Sequence, residues 1–262
     1  MLMKIIKPLV FILMSSTAAQ TMADDSAAVI SDLSSPVGMV YDQQGNLYVA
    51  EWSADRISKI YPDGKRAVVT EAVRNPAGLA FDDRGILYIA SYGDGSIYAL
   101  QDDNRLIEIA AGLSSPTGLI WTREKYLLVA NRNAGQVVKI TLDGTKEILA
   151  ENMATPVGLT QTSDGSIFVS CFSGGIDMIS VNGEIDTIYR GLRRPGVGIA
   201  ADGEEVLAVD YDGNTVARIN RQGQASTVMD NLRSPVGLVK NSDGTFLVGT
   251  WGDNAAFIIN GR

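Results

Sequence analysis

The chain has 262 residues, 45% of them hydrophobic and 20% charged, a balance that supports a packed core and excludes disorder as the main state. Its 30 acidic against 22 basic residues give a net charge of -8, which argues against a phosphate-binding surface and so against nucleic acid as a partner. Histidine is absent and Cys171 is the single cysteine, so imidazole bases, Ser-His and Cys-His nucleophiles, His-ligated metals, internal disulfides and thiolate clusters are excluded.

In chain order, residues 1–23 read as a secretory leader. Lys4 and Lys7 precede the apolar run Leu9 to Met14, and small residues follow, ending Thr21, Met22, Ala23. The run is too short for a stable membrane span, and no later segment has the length of one. Cleavage after Ala23 leaves 20 basic against 30 acidic residues, a net charge of -10, and predicts a soluble acidic protein, periplasmic or secreted.

Residues 24–262 read as one domain built from a repeated unit. Pro-x-Gly recurs at Pro36, Pro76, Pro116, Pro156, Pro195 and Pro235, at spacings of 40, 40, 40, 39 and 40. Each Pro opens an apolar stretch that ends in a polar turn. A second stretch follows, such as Leu47 to Ala50, Leu87 to Ala90 or Phe246 to Gly249. A short polar loop then leads to an alternating segment such as Ile57 to Ile60 or Val137 to Ile140, and a fourth segment such as Val68 to Thr70 leads to the next Pro.

Four short strands in about 40 residues, repeated six times, predict an all-β, six-bladed β-propeller with four antiparallel strands per blade. The sixth copy has a third strand, Ala256 to Ile259, and no fourth. Its fourth is expected from the front of the domain, where Ala28 to Ser31 precede Pro36 as Val228 and Met229 precede Pro235. The ring is therefore expected to close by pairing an N-terminal strand with the last blade, which removes the exposed sheet edges.

With Pro-x-Gly-Leu followed by Asp-x-x-Gly-x-Leu-Tyr-Val-Ala, best preserved in Pro36 to Ala50 and Pro76 to Ala90, the sequence resembles the NHL-repeat family and, more distantly, the senescence marker protein and gluconolactonase-like family of six-bladed propellers. The latter resemblance implies metal ligands and a catalytic acid at strand starts. Those positions, taken as the x of Pro-x-Gly, here read Val37, Ala77, Thr117, Val157, Gly196 and Val236, which supply no carboxylate or amide.

A ligand site is expected on the rim where the Pro-x-Gly starts and the loops after each second strand come together. Those loops begin Glu51, Ser91, Asn131, Cys171, Asp210 and Thr250, each followed by Trp52, Tyr92, Arg132, Phe172, Tyr211 or Trp251. The five aromatics and Arg132 predict a stacking collar, with Glu51, Asn131 and Asp210 offering hydrogen bonds or holding a cation. Packing between blades is the alternative use of the same residues. Asp210, Asp212 and Asn214 have a calcium-loop look, but Gly213 is misplaced and no later Glu completes it.

The expected function is a binding module of the cell envelope acting through this rim, on a small molecule, glycan, peptide or envelope protein. The alternative is a gluconolactonase-like metal-dependent hydrolase or lyase with a rearranged site. No resident cofactor is expected, calcium or another divalent ion being the exception that the loop acids leave open.

Overall fold

The computed structural model describes residues 28–101 and 105–259, so the leader expected at residues 1–23 lies outside the described residues. Blade one comprises β1 (Pro36–Tyr41), β2 (Leu47–Glu51), β3 (Arg56–Ile60) and β4 (Arg66–Thr70), and blade two β5 (Pro76–Phe81), β6 (Leu87–Ser91), β7 (Ser96–Leu100) and β8 (Leu106–Ala110). Blade three holds β9 (Pro116–Trp121), β10 (Leu127–Asn131), β11 (Gln136–Ile140) and β12 (Lys146–Ala150). Blade four holds β13 (Pro156–Gln161), β14 (Ile167–Cys171), β15 (Gly175–Ile179) and β16 (Ile185–Tyr189). Blade five is β17 (Pro195–Asp202), β18 (Glu205–Asp210), β19 (Thr215–Ile219) and β20 (Ala225–Met229), and blade six is β21 (Pro235–Lys240), β22 (Phe246–Thr250) and β23 (Ala255–Ile259). Every sheet is an antiparallel meander in chain order, and the six sheets make a six-bladed β-propeller. Among the described residues no helix is long and apolar enough to cross a membrane.

The blades stack through both faces, and the sequence shows why. Second strands are buried on both sides, so Leu127, Leu128, Val129 and Ala130 of β10 form one unbroken apolar run instead of alternating. Outer strands are more open, as in β16 and β20, whose first three residues are exposed and last two half-buried. The hairpins between first and second strands turn on an Asp. Asp42 accepts the N–H groups of Gln44 (3.0 Å) and Asn46 (2.8 Å), and Asp82 does the same for Arg84 and Ile86.

The ring closes where the repeat arithmetic placed it, and the described residues begin close to the seam. Ile30 and Ala256 form a single antiparallel bridge, with Ala256 N–H donating to Ile30 (2.8 Å) and Val29 N–H donating to Ala256 (2.9 Å). Leu33 N–H donates to Asn254 and the Ser35 N–H to Asn254 Oδ1 at 3.0 Å, extending the seam to the first proline. Leu33 itself is buried, in a cluster with Met39, Leu47 and Leu247 that spans the first and last blades.

At the axis the glycine of each Pro-x-Gly is a steric requirement. A Cβ on Gly118 would sit 2.8 Å from the Gly158 Cα, and one on Gly198 would sit 2.6 Å from the Leu238 nitrogen. On Gly38, Gly78, Gly158 and Gly237 it would run into the carbonyl oxygen of Ala77, Thr117, Val197 and Val37 respectively. First strands thus pass each other backbone against backbone all round the ring. Blade five departs from the sequence reading here. Its register jumps between Pro195 and Ile199, one residue longer than the jump between Pro36 and Met39 in blade one. Gly196 is the inserted residue, held by Ser170 Oγ on its carbonyl at 2.7 Å, and Val197 occupies the x position that spacing from Pro195 assigns to Gly196. The two hollows of the channel, one on each side of the waist, both touch Val37 and Val197.

Gly158→Ala is expected to destabilise the protein by about 3 kcal/mol or more in urea unfolding, because the new methyl meets backbone and the buried Ser170. Gly45→Ala, at φ 79° in open space, is expected to cost only about 1 kcal/mol. Equal costs would mean that the waist is not tight.

Candidate functional site

The loops after the second strands carry pairs of residues whose side chains part company. The first of each pair turns back into the ring. Glu51 Oε2 accepts the Ser34 N–H at 2.8 Å, Asn131 Oδ1 that of Ser114 at 2.6 Å, and Asp210 Oδ2 that of Arg193 at 2.8 Å. Ser91 Oγ donates to the Arg74 carbonyl at 2.8 Å. Ser34, Arg74, Ser114 and Arg193 all lie two residues ahead of a blade-opening proline, so these buried groups latch each blade's entry segment to its second strand.

A second set of latches reaches the residue immediately before the proline. Asp55 accepts the Asn75 N–H at 2.7 Å, and Asn214 accepts the Ser234 N–H at 3.0 Å, as Asn254 does for Ser35. Asn75, Ser234 and Ser35 have φ of 42°, 53° and 53°, a conformation these short polar residues tolerate and the latches hold. The calcium-like trio is spent in the same way. Asp210 takes three backbone N–H groups, Asp212 pairs with Arg194 at 3.1 Å, and Asn214 is the latch to Ser234.

Glu51 is also gripped by Arg56, at 2.7 Å and 3.1 Å, and by the Ser58 hydroxyl. Burial works to raise its pKa, but these hydrogen bonds and the Ser34 N–H outweigh that and hold the carboxyl below the usual glutamate value. Cys171 lies fully buried against Asp177 at 3.3 Å, and burial together with that carboxylate pushes its thiol far above the ordinary range, which makes it inert as a nucleophile.

The second residue of each pair turns toward the axis. Trp52, Tyr92, Arg132, Phe172, Tyr211 and Trp251 line one cavity of about 340 Å³, with Val37, Thr117, Val157, Val197 and Val236 beneath them. The wall is nearly continuous. Trp52 meets Tyr92 edge to face at 4.7 Å and Trp251 at 6.3 Å, and Trp251 meets Tyr211 at 6.0 Å. The Tyr92 hydroxyl accepts from Arg132 at 3.4 Å, and the Arg132 and Arg194 guanidiniums lie 5.3 Å and 5.0 Å from the Phe172 ring. The Trp251 indole N–H donates to the Pro36 carbonyl at 3.1 Å, fixing that ring to the first blade.

The structure therefore brings six of the expected rim residues into one cup and adds Arg194, which lines the same cavity. Glu51, Asn131 and Asp210 do not reach it, because their acceptor oxygens already satisfy buried backbone donors. The sequence signal that separates the two groups is alternation. Adjacent residues leaving a strand point opposite ways, so a polar residue followed by an aromatic one places one inside the ring and the other over the channel.

A hard divalent cation needs several oxygen donors around one point. The cup offers one hydroxyl, on Thr117, which already donates to the Ala130 carbonyl at 3.3 Å, two phenols, and two guanidiniums that repel a cation. These residues do not fit such an ion, and among the described residues no cluster of three Asp, Glu or Cys converges for a metal.

Glu51→Gln is expected to lower stability by on the order of 2 kcal/mol at neutral pH, since it leaves Arg56 without its charge partner. Because the folded pKa lies below the unfolded one, this difference is complete above the usual Glu value of 4.5 and shrinks as pH falls through the lowered folded value. Melting curves of both proteins across that range check it. A gap that widens toward acid would contradict the assignment.

The model of the family described as SMP-30/Gluconolactonase/LRE-like region matches residues 13–93, less than half of the chain. Among curated proteins no sequence matches significantly. Among solved structures, a gluconolactonase from Xanthomonas campestris is 17% identical at a TM-score of 0.79, with 88% of each chain covered. The calcium-binding protein regucalcin from Agrobacterium tumefaciens is 13% identical at 0.76, covering 90% of this chain and 95% of that one. Virginiamycin B lyase from Staphylococcus aureus is 18% identical at 0.68, covering 86% and 84%, and a variant of it, catalytically inactive after replacement of one histidine by alanine, is known with quinupristin. The chain is thus a six-bladed β-propeller similar to the SMP-30 and gluconolactonase-like proteins, in sequence over its first blade and part of the second and in fold over the whole ring.

Proposed function

We propose that this propeller binds a small organic ligand in the aromatic cup. The observation that carries the reading is the convergence of Trp52, Tyr92, Phe172, Tyr211 and Trp251 with two guanidiniums on one cavity of about 340 Å³, the size and lining of a small-molecule site. Aromatic rings needed only to wedge blades apart would be covered, whereas these are half-exposed and face a hollow. The leader-like segment at residues 1–23 supports export, and with it a place in the cell envelope. The NHL-type reading rests on the sequence motif of the repeat, Pro-x-Gly-Leu followed by Asp-x-x-Gly-x-Leu-Tyr-Val-Ala.

A second reading, a gluconolactonase-like hydrolase or lyase, is the one the comparisons favour, through the family match at residues 13–93 and the gluconolactonase of similar fold. Such an enzyme would need chemistry that this cup does not offer to a metal. It would also work without the histidine whose loss inactivates the virginiamycin B lyase, because this chain has none.

Thermal melting separates the two. Millimolar calcium or zinc is expected to leave the midpoint unchanged and lactone substrates untouched. A ligand from a panel of small aromatic and sugar compounds, present at about a hundred times its Kd, is expected to raise the midpoint by about 5 °C, and the shift is expected to vanish in Trp52→Ala/Trp251→Ala. A saturable calcium shift lost in Asp210→Ala, or lactone turnover, would reverse the order of the readings.

A further inference from the structure

Around the cup, the arginines on one side are paired with carboxylate side chains and most of those on the other are not, the Asp210 carboxylate there being taken up by the backbone N–H groups of Arg193 and Arg194. On the side of blades one, two and six, Arg56 pairs with Glu51, Arg74 with Asp94 and Arg233 with Asp253. On the side of blades three to five, Arg132 donates to Tyr92 and to Asn133 Oδ1, and Arg190 to the Gly174 carbonyl and Thr187, all uncharged acceptors. Neither guanidinium, nor that of Arg193, has a carboxylate within ion-pair distance among the described residues. Arg194 shares Asp212 at 3.1 Å, but both side chains are more than a third exposed, so the pair is weak and open to exchange.

This concentration of positive charge stands in a chain of net charge -8, so it is not a by-product of composition. It is also placed with respect to the aromatics. Trp52, Trp251 and Tyr211 form one wall of the cup, whereas Arg132 and Arg194 flank Phe172 on the other. A groove lined by Arg190, Arg193 and Arg194 runs on from that wall and shares Phe172 with it. Guanidinium forks against an apolar wall suit a carboxylate on a flat body, since the apolar ring gains by leaving water for the cup while the acid gains charge-assisted hydrogen bonds.

We propose that the cup takes a flat organic anion, its ring held by Trp52, Trp251 and Tyr211 and its carboxylate by Arg132 and Arg194. This rests on the cup being the ligand site and names the class of ligand it selects.

Naphthoate, the neutral naphthamide and naphthylmethylammonium, titrated by calorimetry into the full chain at low salt, separate the two levels of inference. Naphthoate is expected to bind at least about tenfold more tightly than naphthamide, with the ammonium weakest. That preference is expected to fall to about one in Arg132→Gln/Arg194→Gln and to persist in Arg132→Lys, while Trp251→Ala weakens acid and amide alike. Should the double variant fail to fold by circular dichroism, the unaltered protein supplies the same information, because the preference should shrink as ionic strength rises. Equal binding of acid and amide, both weakened by Trp251→Ala, overturns the anion assignment and leaves the cup standing. No binding of any probe at millimolar concentration, or binding indifferent to Trp251→Ala, overturns both.

Discussion

The backbone of one first strand lies directly against that of the next, six times around the axis, and the rest of the molecule is arranged to permit it. The glycine of each Pro-x-Gly has no room for a Cβ because the neighbouring blade's backbone occupies that space. So narrow a waist admits no long side chain from the innermost strands. On the rim of the Pro-x-Gly starts, the side chains that reach over the channel come from the loops following the second strands, whereas the hollow on the other side of the waist is lined by the first strands themselves.

Those loops work under a second constraint, the satisfaction of buried donors. The segment entering a blade carries N–H groups just ahead of its proline that no strand pairing satisfies. Glu51, Asn131 and Asp210 satisfy them in three blades, and Asp55, Asn214 and Asn254 add a second acceptor in three. The carboxylates of Glu51 and Asp210 are therefore consumed in holding the entry segment of their own blade to its second strand. What remains over the channel is the neighbouring residue of each pair, aromatic in five blades and Arg in the other. Adjacent residues at each strand end are thus divided between the ring's own hydrogen bonds and the channel mouth.

The same latch closes the ring. Asn254 reaches Ser35 across the seam as Asp55 reaches Asn75 within the array, so the seam copies an ordinary blade junction in its side chains. Leu33 completes it by entering the apolar cluster shared between the first and last blades.

Much of this was legible in the order of residues. The spacing of Pro36, Pro76 and Pro116 specified blades, the segment Ala28 to Ser31 could be assigned to the last blade, and the collar from Trp52 to Trp251 could be named, because each depends on local periodicity or on which side of the chain a residue occupies. Spacing failed at Pro195, where an extra glycine shifts the register and only the contact of Val197 with Gly158 shows which residue faces the axis. Nor could sequence tell that Glu51 and Asp210 bond backward to Ser34 and Arg193, or that Arg194 joins Arg132 around Phe172. Periodicity determines the direction in which a side chain leaves its strand, whereas its partner depends on how far neighbouring blades turn about the axis, and that angle is set by the packing of the whole ring.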